Sequence, residues 1–221
     1  MDRPQPVSAE LEVDLLNLRK LNRYFGSYRL IEHFLQRWVK PNSQLRILDL
    51  ATGSGDIPRL VVDFARRVNA EATVDAVDQQ AATIEIARKL SASYPQIEFI
   101  EGDVLTFARE PYDIVLCSLA LHHFSENDAV ALLKRCRALS RQHVLVSDLR
   151  RGPLATVGVY LLTALVFREP MTRVDARLSA ERAFSFAEFS SLAERAAWKN
   201  FGHAKFAFAR QAVWLEPASS G

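Results

Sequence analysis

Short aliphatic stretches alternate with amphipathic stretches along most of the chain. "LRILDL" and "ATVDAVD" are followed by "PRLVVDFARRV" and "QAATIEIARKLSA", which have the apolar spacing of helices. "IEFIEGD", "YDIVLCSLAL" and "HVLVSDL" add three strand patterns, and the last two flank a helix predicted from Ser125 to about Leu139. This alternation predicts an α/β fold in which a mostly parallel sheet carries helices on both faces.

The two ends of the chain add further elements to this sheet. Leu11, Leu15 and Leu18 recur at helical spacing, and a second helix is predicted from Tyr28 to Val39. Near the other end, "NFGHAKFAFARQAVWLE" reads as two strands joined by a tight turn. These strands have no helix between them, so we expect an antiparallel hairpin at the edge of the sheet.

Composition restricts the classes of partner. The chain has 221 residues, enough for one sizeable domain, and a net charge of +2 gives no reason to expect nucleic acid as a partner. Neither Cys117 nor Cys136 belongs to a C-x-x-C pair, which argues against a zinc site or a disulfide framework. The longest apolar run, 153–167, is 15 residues. A membrane helix needs about 20, so we expect no membrane span and a cytoplasmic protein.

The stretch "ILDLATGSGDIP", residues 47–58, marks a candidate ligand site. Its aliphatic run stops at Asp49, and Gly53 and Gly55 then let the backbone approach a ligand without a Cβ in the way. Asp56 is predicted to cap the following helix, with Pro58 in its first turn. Ligands of open α/β sheets bind at such carboxyl ends of strands. A tight strand-to-helix turn without a ligand stays open as the alternative.

Acidic residues at two neighbouring strand ends favour a nucleotide-like ligand. Asp78 ends the second strand, where an acid can accept ribose hydroxyls, and Asp103 ends the third. A dinucleotide loop would need a third glycine where Pro58 stands, and the G-K-[ST] of a P-loop is absent. The pattern therefore favours neither an NAD-dependent oxidoreductase nor an NTPase.

The order of these parts resembles the class I S-adenosylmethionine-dependent methyltransferases. Their first motif is similar to Asp49-Leu-Ala-Thr-Gly-Ser-Gly55, with Ala51 in place of the usual first glycine. "LHHF", "VSDLRR" and "FSFAEFSSLAERA" are similar to bacterial small-molecule methyltransferases. The likeness covers about residues 45–148 and reaches the C-terminal hairpin by topology only. It implies a Rossmann-like, seven-stranded, mostly parallel sheet with its last strand antiparallel, and S-adenosylmethionine as cofactor.

Carried over by position, the resemblance assigns a role to ten cofactor-binding residues. Asp49 and Gly53 would border the methionine part, Asp78 would hold the ribose, and Asp103 and Val104 the adenine. The complete predicted set is Asp49, Ala51, Gly53, Gly55, Asp78, Gln79, Asp103, Val104, Ser118 and Leu119.

Methyl transfer to a phenol or enol also needs a base and a pocket for the acceptor. His122 and His123, at the mouth of the fourth strand, are the candidate catalytic residues. The alternative is that one of them packs against the cofactor or caps the loop. Asp148, Arg150 and Tyr160 are the candidate substrate-binding residues. Arg19, Asn22, Arg23 and Tyr24 are candidates for the cofactor carboxylate. No clear set of carboxylates for a metal is present.

These features predict one methyltransferase domain with four parts. They are an N-terminal helical cap (1–42), a cofactor-binding core (43–148), a helical lid (149–183) whose apolar run lines the acceptor pocket, and a closing helix and hairpin (184–217). We expect methyl transfer to oxygen or carbon of a small, largely apolar acceptor, aromatic or polyketide-like, and a homodimer is left open. An RNA or protein methyltransferase and a non-catalytic cofactor-binding module are the alternatives.

Overall fold

The computed structural model describes residues 7–152 and 170–217. The predicted substrate residue Tyr160 and the apolar run 153–167 lie outside the described residues, so their predicted places in the acceptor pocket stay predictions.

A seven-stranded sheet forms the centre of the molecule, with strand order β3-β2-β1-β4-β5-β7-β6. The strands are β1 (Gln44–Leu50), β2 (Glu71–Asp78), β3 (Ile97–Glu101), β4 (Tyr112–Ser118), β5 (Ser140–Leu149), β6 (Gly202–Phe206) and β7 (Arg210–Leu215). The first five pair in parallel, and β7 runs antiparallel to both β5 and β6. The predicted fold class is therefore confirmed, including the terminal hairpin.

Seven α-helices surround this sheet within the described ranges. They are α1 (Ala9–Tyr24), α2 (Ser27–Trp38), α3 (Asp56–Arg67), α4 (Ala81–Leu90), α5 (Glu126–Ala138), α6 (Pro170–Arg182) and α7 (Phe186–Arg195). The serine hydroxyls of Ser8, Ser125 and Ser185 accept backbone N–H groups at the starts of α1, α5 and α7. These caps satisfy donors that would otherwise have no partner. None of the described helices is long and apolar enough to cross a membrane.

The strands are apolar on both faces because both faces of the sheet are covered. Along β4, Ile114 and Leu116 pack into one core cluster, with residues of α2 and α3, whereas Val115 and Cys117 pack into the other, with residues of α5 and α7. All four are fully buried. This explains why the strands read as continuous hydrophobic runs rather than as alternating patterns.

The site is positioned by a reversal of strand order between β1 and β4. From β1 the chain builds outward through β2 to β3, then crosses back to place β4 on the other side of β1. The loops after β1 and β4 consequently lead away in opposite directions, which opens a crevice at the carboxyl ends of these strands.

Helices α1 and α6 are joined to each other by buried hydrogen bonds. The Thr172 hydroxyl donates to the Asp14 carboxyl at 2.6 Å and accepts from the Asn17 amide at 3.3 Å. Thr172 is fully buried, so these polar groups have lost their contact with water. Buried polar groups need such partners, which makes Thr172 the link that holds the two helices in register.

Replacing Thr172 by the isosteric valine tests this link. Thr172→Val removes the hydroxyl while keeping the shape, so Asp14 loses a donor and Asn17 an acceptor. We expect the free energy of unfolding, measured by urea denaturation, to fall by about 1–3 kcal/mol. The matched control is Thr73→Val on β2, where the threonine is exposed and the expected change is within about 0.5 kcal/mol. Equal effects of the two substitutions would contradict the role given to Thr172.

Candidate functional site

A cavity of about 290 Å³ lies over the carboxyl ends of β1, β2, β4 and β5. It is close to the lower end of the usual range for small-molecule sites, about 300–1,000 Å³. Helices α1 and α6 and the turn between β6 and β7 contribute to its walls. The main lining residues are Leu15, Leu18, Arg19, Leu21, Asn22, Phe25, Asp49, Ala51–Ser54, Asp78, Gln79, Val104, Ser118–Ala120, His122–Phe124, Leu149, Ala176, Ser179, Phe208 and Arg210.

The loop after β1 forms one wall of this cavity through an unusual backbone. Ala51, Gly53 and Gly55 all have positive φ angles, of 59°, 54° and 71°. The Gly53 N–H donates to the Asp78 carboxyl at 2.9 Å, which ties the loop to the end of β2. A Cβ built on Gly53 would meet no atom within 4 Å. Gly53 therefore faces open space that a ligand can fill.

Gly55 and Asp56 do not have the places predicted for them. Gly55 does not line the cavity: a Cβ on it would lie 2.6 Å from the Phe99 ring, so its missing side chain makes room for packing. The predicted cap Asp56 is wrong, because Gly55 occupies the cap position of α3 in a left-handed conformation and Asp56 is the first helical residue. The buried Asp56 carboxyl instead accepts from Asn22 at 3.0 Å and Ser54 at 3.2 Å.

Asp49, at the floor of the cavity, is a buried acid with an unusual titration. It is 2% exposed, and its carboxyl accepts from the Thr52 hydroxyl at 2.6 Å. Burial raises the pKa of Asp49 from 3.8 to about 8, the Thr52 hydrogen bond opposes this rise, and the negative charges of Asp56 and Asp78 add to it. A cation placed beside Asp49 would favour the charged carboxylate.

Asp78 also stands at the cavity wall, where two backbone donors hold it. Its two oxygens accept from Gly53 N–H at 2.9 Å and from Gln80 N–H at 3.0 Å. Burial raises its pKa, and the backbone hydrogen bonds oppose that rise. Gln79 lines the cavity next to it. The carboxyl therefore has a fixed orientation at the carboxyl end of β2.

Three of the four residues predicted at the ends of β3 and β4 line the cavity, and one does not. Val104 is buried and lines it, whereas Asp103 is exposed and accepts from the Leu105 N–H at 2.9 Å. Ser118 and Leu119 both line the cavity, and Leu119 has a positive φ of 56°. Of the ten predicted cofactor residues, the structure brings eight to the cavity and leaves Gly55 and Asp103 outside its lining.

His122 is held from two sides by Asp148. Its Nδ1 lies 2.7 Å from Asp148 Oδ1, and its backbone N–H donates to Oδ2 at 2.9 Å. The Leu149 N–H also donates to Oδ1. Because both oxygens accept, the imidazole must donate from Nδ1, which leaves Nε2 unprotonated in the neutral ring. Within the described residues, this buried Nε2 has no hydrogen-bond partner.

The remaining catalytic and substrate candidates differ in accessibility. His123 is exposed, lines the cavity and has its ring centroid 4.1 Å from that of His122. Asp148 is 1% exposed and Arg150 is half-buried, and neither lines the cavity. The structure therefore places Asp148 behind His122 rather than against a substrate.

Several polar residues of the cavity carry no strong signal in the sequence. Arg19 and Asn22 line it from α1, while their predicted companions Arg23 and Tyr24 are exposed and outside the lining. Arg210 lines it from the start of β7 and was not predicted at all, because it belongs to no motif and reaches the site only through the hairpin. Within residues 7–152 and 170–217, no group of three or more potential ligands is arranged to hold a metal ion.

Comparison with known proteins relates the central part of the chain to a known family. Residues 47–143 match the model of a family described as "Methyltransferase domain". Residues 47–143 are therefore similar to a methyltransferase domain, over somewhat less than half of the chain. The match confirms the resemblance to class I methyltransferases and falls on the strands and loops that build the cavity.

Curated relatives of this chain match over part of their length. The chain is 37% identical over 87 residues to 2-phytyl-1,4-naphtoquinone methyltransferase of Thermosynechococcus vestitus, covering 39% of this chain and 37% of that protein. It is 30% identical over 139 residues to demethylmenaquinone methyltransferase of Thermotoga maritima, covering 57% of each. The matches thus span from about a third to somewhat over half of these relatives.

Solved methyltransferase structures share the fold. A SAM-dependent methyltransferase from Aquifex aeolicus superposes with a TM-score of 0.64 at 15% identity, covering 92% of this chain and 96% of that one. Human N-acetylserotonin methyltransferase, in complex with SAM, gives a TM-score of 0.65 at 17% identity, covering 93% and 55%. At these identities the likeness establishes the fold.

The hydrogen bond between Asp148 and His122 can be tested by nuclear magnetic resonance. We expect the neutral His122 ring of the wild-type protein to carry its proton on Nδ1, read from its ¹⁵N chemical shifts. Asp148→Asn weakens the acceptor, so the population with the proton on Nε2 should rise. His203, on β6, serves as the internal control and should keep its signal. An unchanged His122 spectrum in the variant would contradict the assigned hydrogen bond.

The raised pKa of Asp49 predicts a pH dependence of stability. The folded state keeps the Asp49 proton up to about pH 8. The unfolded chain releases it near pH 4. The free energy of unfolding should therefore fall as the pH rises from about 4 to about 8, and then level off. Asp49→Asn cannot lose a proton there, so urea denaturation at a series of pH values should show a flatter profile for this variant. Parallel profiles for the two proteins would contradict the assignment.

Proposed function

We propose that this chain transfers a methyl group from S-adenosylmethionine to a small-molecule acceptor bound in the same cavity. The observation that carries the proposal is the open space beside Gly53, in a cavity that Asp49 and Asp78 also line. The match to a methyltransferase family and the solved relative with bound SAM support it.

The residues of the cavity fit the parts of this cofactor. Asp78 would accept the ribose hydroxyls, with Gln79 beside it, and Val104 would pack against the adenine. Asp49 would face the ammonium of the methionine part, whose positive charge favours the ionised carboxylate. Arg19, which lines the cavity from α1, would pair with the cofactor carboxylate.

The protein's part in the reaction would be to align the acceptor with the methyl group and to exclude water. When bound, the cofactor would supply an electrophilic methyl group on a sulfonium, with the neutral thioether as the leaving group. Ser118 and Leu119 would fix the position of the reacting groups from the end of β4, next to the cofactor. Helices α1 and α6, held together through Thr172, would act as a cap that keeps water out of the reaction.

His122 is our candidate for removing the proton of a phenol or enol acceptor. His122 lines the cavity, and its unprotonated Nε2, which is buried, would accept that proton once a local rearrangement exposes it to the acceptor. Asp148 would stabilise the imidazolium that forms. His122 is the better candidate than His123, because the hydrogen bond to Asp148 fixes its tautomer. Asp148 acts through His122 and is a positioning residue.

The acceptor we propose is small and largely apolar, methylated on oxygen or carbon. Leucines 15, 18 and 21 and the rings of Phe25 and Phe124 give the cavity an apolar lining. The curated relatives include enzymes named for naphthoquinone and menaquinone substrates, which favours an aromatic or quinone-like acceptor. A net charge of +2 favours a small molecule over RNA.

Isothermal titration calorimetry with S-adenosylhomocysteine tests the proposal. The wild-type chain should bind it with a dissociation constant in the micromolar range, roughly −8 kcal/mol. Gly53→Ala places a methyl group in the space the ligand needs and should weaken binding at least tenfold, or about 1.4 kcal/mol. Because the φ of Gly53 is positive, an alanine there also carries a backbone cost of about 1–2 kcal/mol. Urea denaturation of the variant measures this cost separately from the loss of binding.

The control is Gly102→Ala, just after β3. A Cβ there meets Val77 at 3.5 Å and Phe107 at 3.7 Å, which are ordinary contacts, and Gly102 does not line the cavity. This variant should bind like the wild type. Binding of NAD but not of S-adenosylhomocysteine by the wild-type chain would overturn the proposed function. Normal binding by Gly53→Ala would mean that the cofactor does not occupy the space beside Gly53.

A further inference from the structure

Arg210 is a buried cation that lines the cavity from β7, at the opposite end of the strand order from β2. It begins β7 and pairs in register with Leu149, the last residue of β5. It is 7% exposed and lines the cavity, as Leu149 does. A buried arginine is costly unless its donors are used, so the partners of its guanidinium show what it can still bind.

Two of its three nitrogen atoms are used to fix the side chain. Nε donates to the Ser27 hydroxyl at 3.0 Å, and Nη1 donates to the Phe208 carbonyl at 3.3 Å. Nη2 donates to no residue in the described ranges, and it does not belong to the fully buried unpaired atoms found there. Since Arg210 is otherwise buried and borders the cavity, Nη2 contacts that open space.

No carboxylate neutralises Arg210 through a hydrogen bond among the described residues. Burial lowers the pKa of Arg210 to about 10, and the negative charge of Asp148 opposes this. Both oxygens of Asp148, however, already accept from His122 and from the Leu149 N–H. The guanidinium is therefore held rigidly with an unused donor, which is the arrangement that recognises an anionic oxygen.

Arg210 is distant from Asp49 and Asp78, the two carboxyls proposed to hold the cofactor. Three strand spacings lie between β1 and β7, because β4 and β5 stand between them. At about 4.8 Å per spacing, this is about 14 Å. Asp78, on β2, is one spacing farther. Arg210 instead lies on the same side of the cavity as His122 and Leu149, where the acceptor would approach.

We propose that Arg210 is a specificity-determining residue that binds an anionic oxygen of the acceptor, either a carboxylate or an enolate. This inference rests on the proposed function and names the acceptor class more narrowly: an apolar ring system that carries one acidic oxygen. Nη2 donates to that oxygen, and the apolar lining of the cavity holds the ring.

Two matched pairs of probes test this class with S-adenosylhomocysteine present at saturation. 1-Naphthoate and 1-naphthamide have similar shapes and differ in charge, and so do 2-hydroxy- and 2-methoxy-1,4-naphthoquinone near neutral pH. Titration by calorimetry or nuclear magnetic resonance should show at least tenfold tighter binding of the anion in one pair. The pair that shows the preference distinguishes a carboxylate from an enolate.

Arg210→Gln should abolish this preference while leaving S-adenosylhomocysteine binding unchanged. The matched control is Arg29→Gln, which makes the same charge change at an exposed position on α2 and should keep the preference. Arg210→Lys keeps the charge on a different geometry, so it should weaken binding of the anion at least threefold without affecting the neutral probe. This second variant decides the matter if Arg210→Gln does not fold.

Three results would overturn the inference. In the first, the wild-type chain binds S-adenosylhomocysteine but prefers neither anion. In the second, an Arg210 variant keeps the wild-type preference. In the third, the Arg210→Gln protein folds but loses S-adenosylhomocysteine binding. The last result would assign Arg210 to the cofactor. Failure of the wild-type chain to bind S-adenosylhomocysteine contradicts the proposed function instead, so the two failures are distinguishable.

Discussion

The hydrogen bond from the Gly53 N–H to the Asp78 carboxyl is the contact on which the site depends. It joins the loop after β1 to the end of β2, and it holds that loop with an open space in front of Gly53. Asp78 is also fixed by Gln80, so the carboxyl and the loop set each other's position. The parallel pairing of β1 with β2 brings these two strand ends to the same edge of the sheet.

The fold and the cofactor side of the cavity could be predicted because their signals are local. Each strand and helix has its own period of apolar residues, and this pattern locates the strand ends in the sequence. Asp49, Asp78 and Val104 stand at or just after such ends. Parallel pairing then brings such ends together whatever their separation in sequence. Eight of the ten predicted cofactor residues line the cavity for this reason.

The exceptions arise where packing in three dimensions decides what a residue does. Gly55 follows the pattern of a ligand-binding glycine, but the Phe99 ring, far along the chain, fills the space beside it. Asp148 lies at the carboxyl end of β5, where a substrate-binding residue could stand, yet its carboxyl is hydrogen-bonded to His122 from the turn after β4. Arg210 has no motif, and only the position of β7 beside β5 brings it to the cavity. None of these pairings is visible from neighbouring residues.

The placement of β7 between β5 and β6 also affects how the chain reaches its native state. β7 is the last strand in sequence, yet it pairs with β5 along six residues, Val144 to Leu149. During synthesis the earlier strands can assemble while β5 remains an unprotected edge, which is a template for association with other chains. Insertion of β7 closes this edge and delivers Arg210 in the same step. The pairing of β7 with β5 therefore both covers this strand edge and brings Arg210 to the cavity.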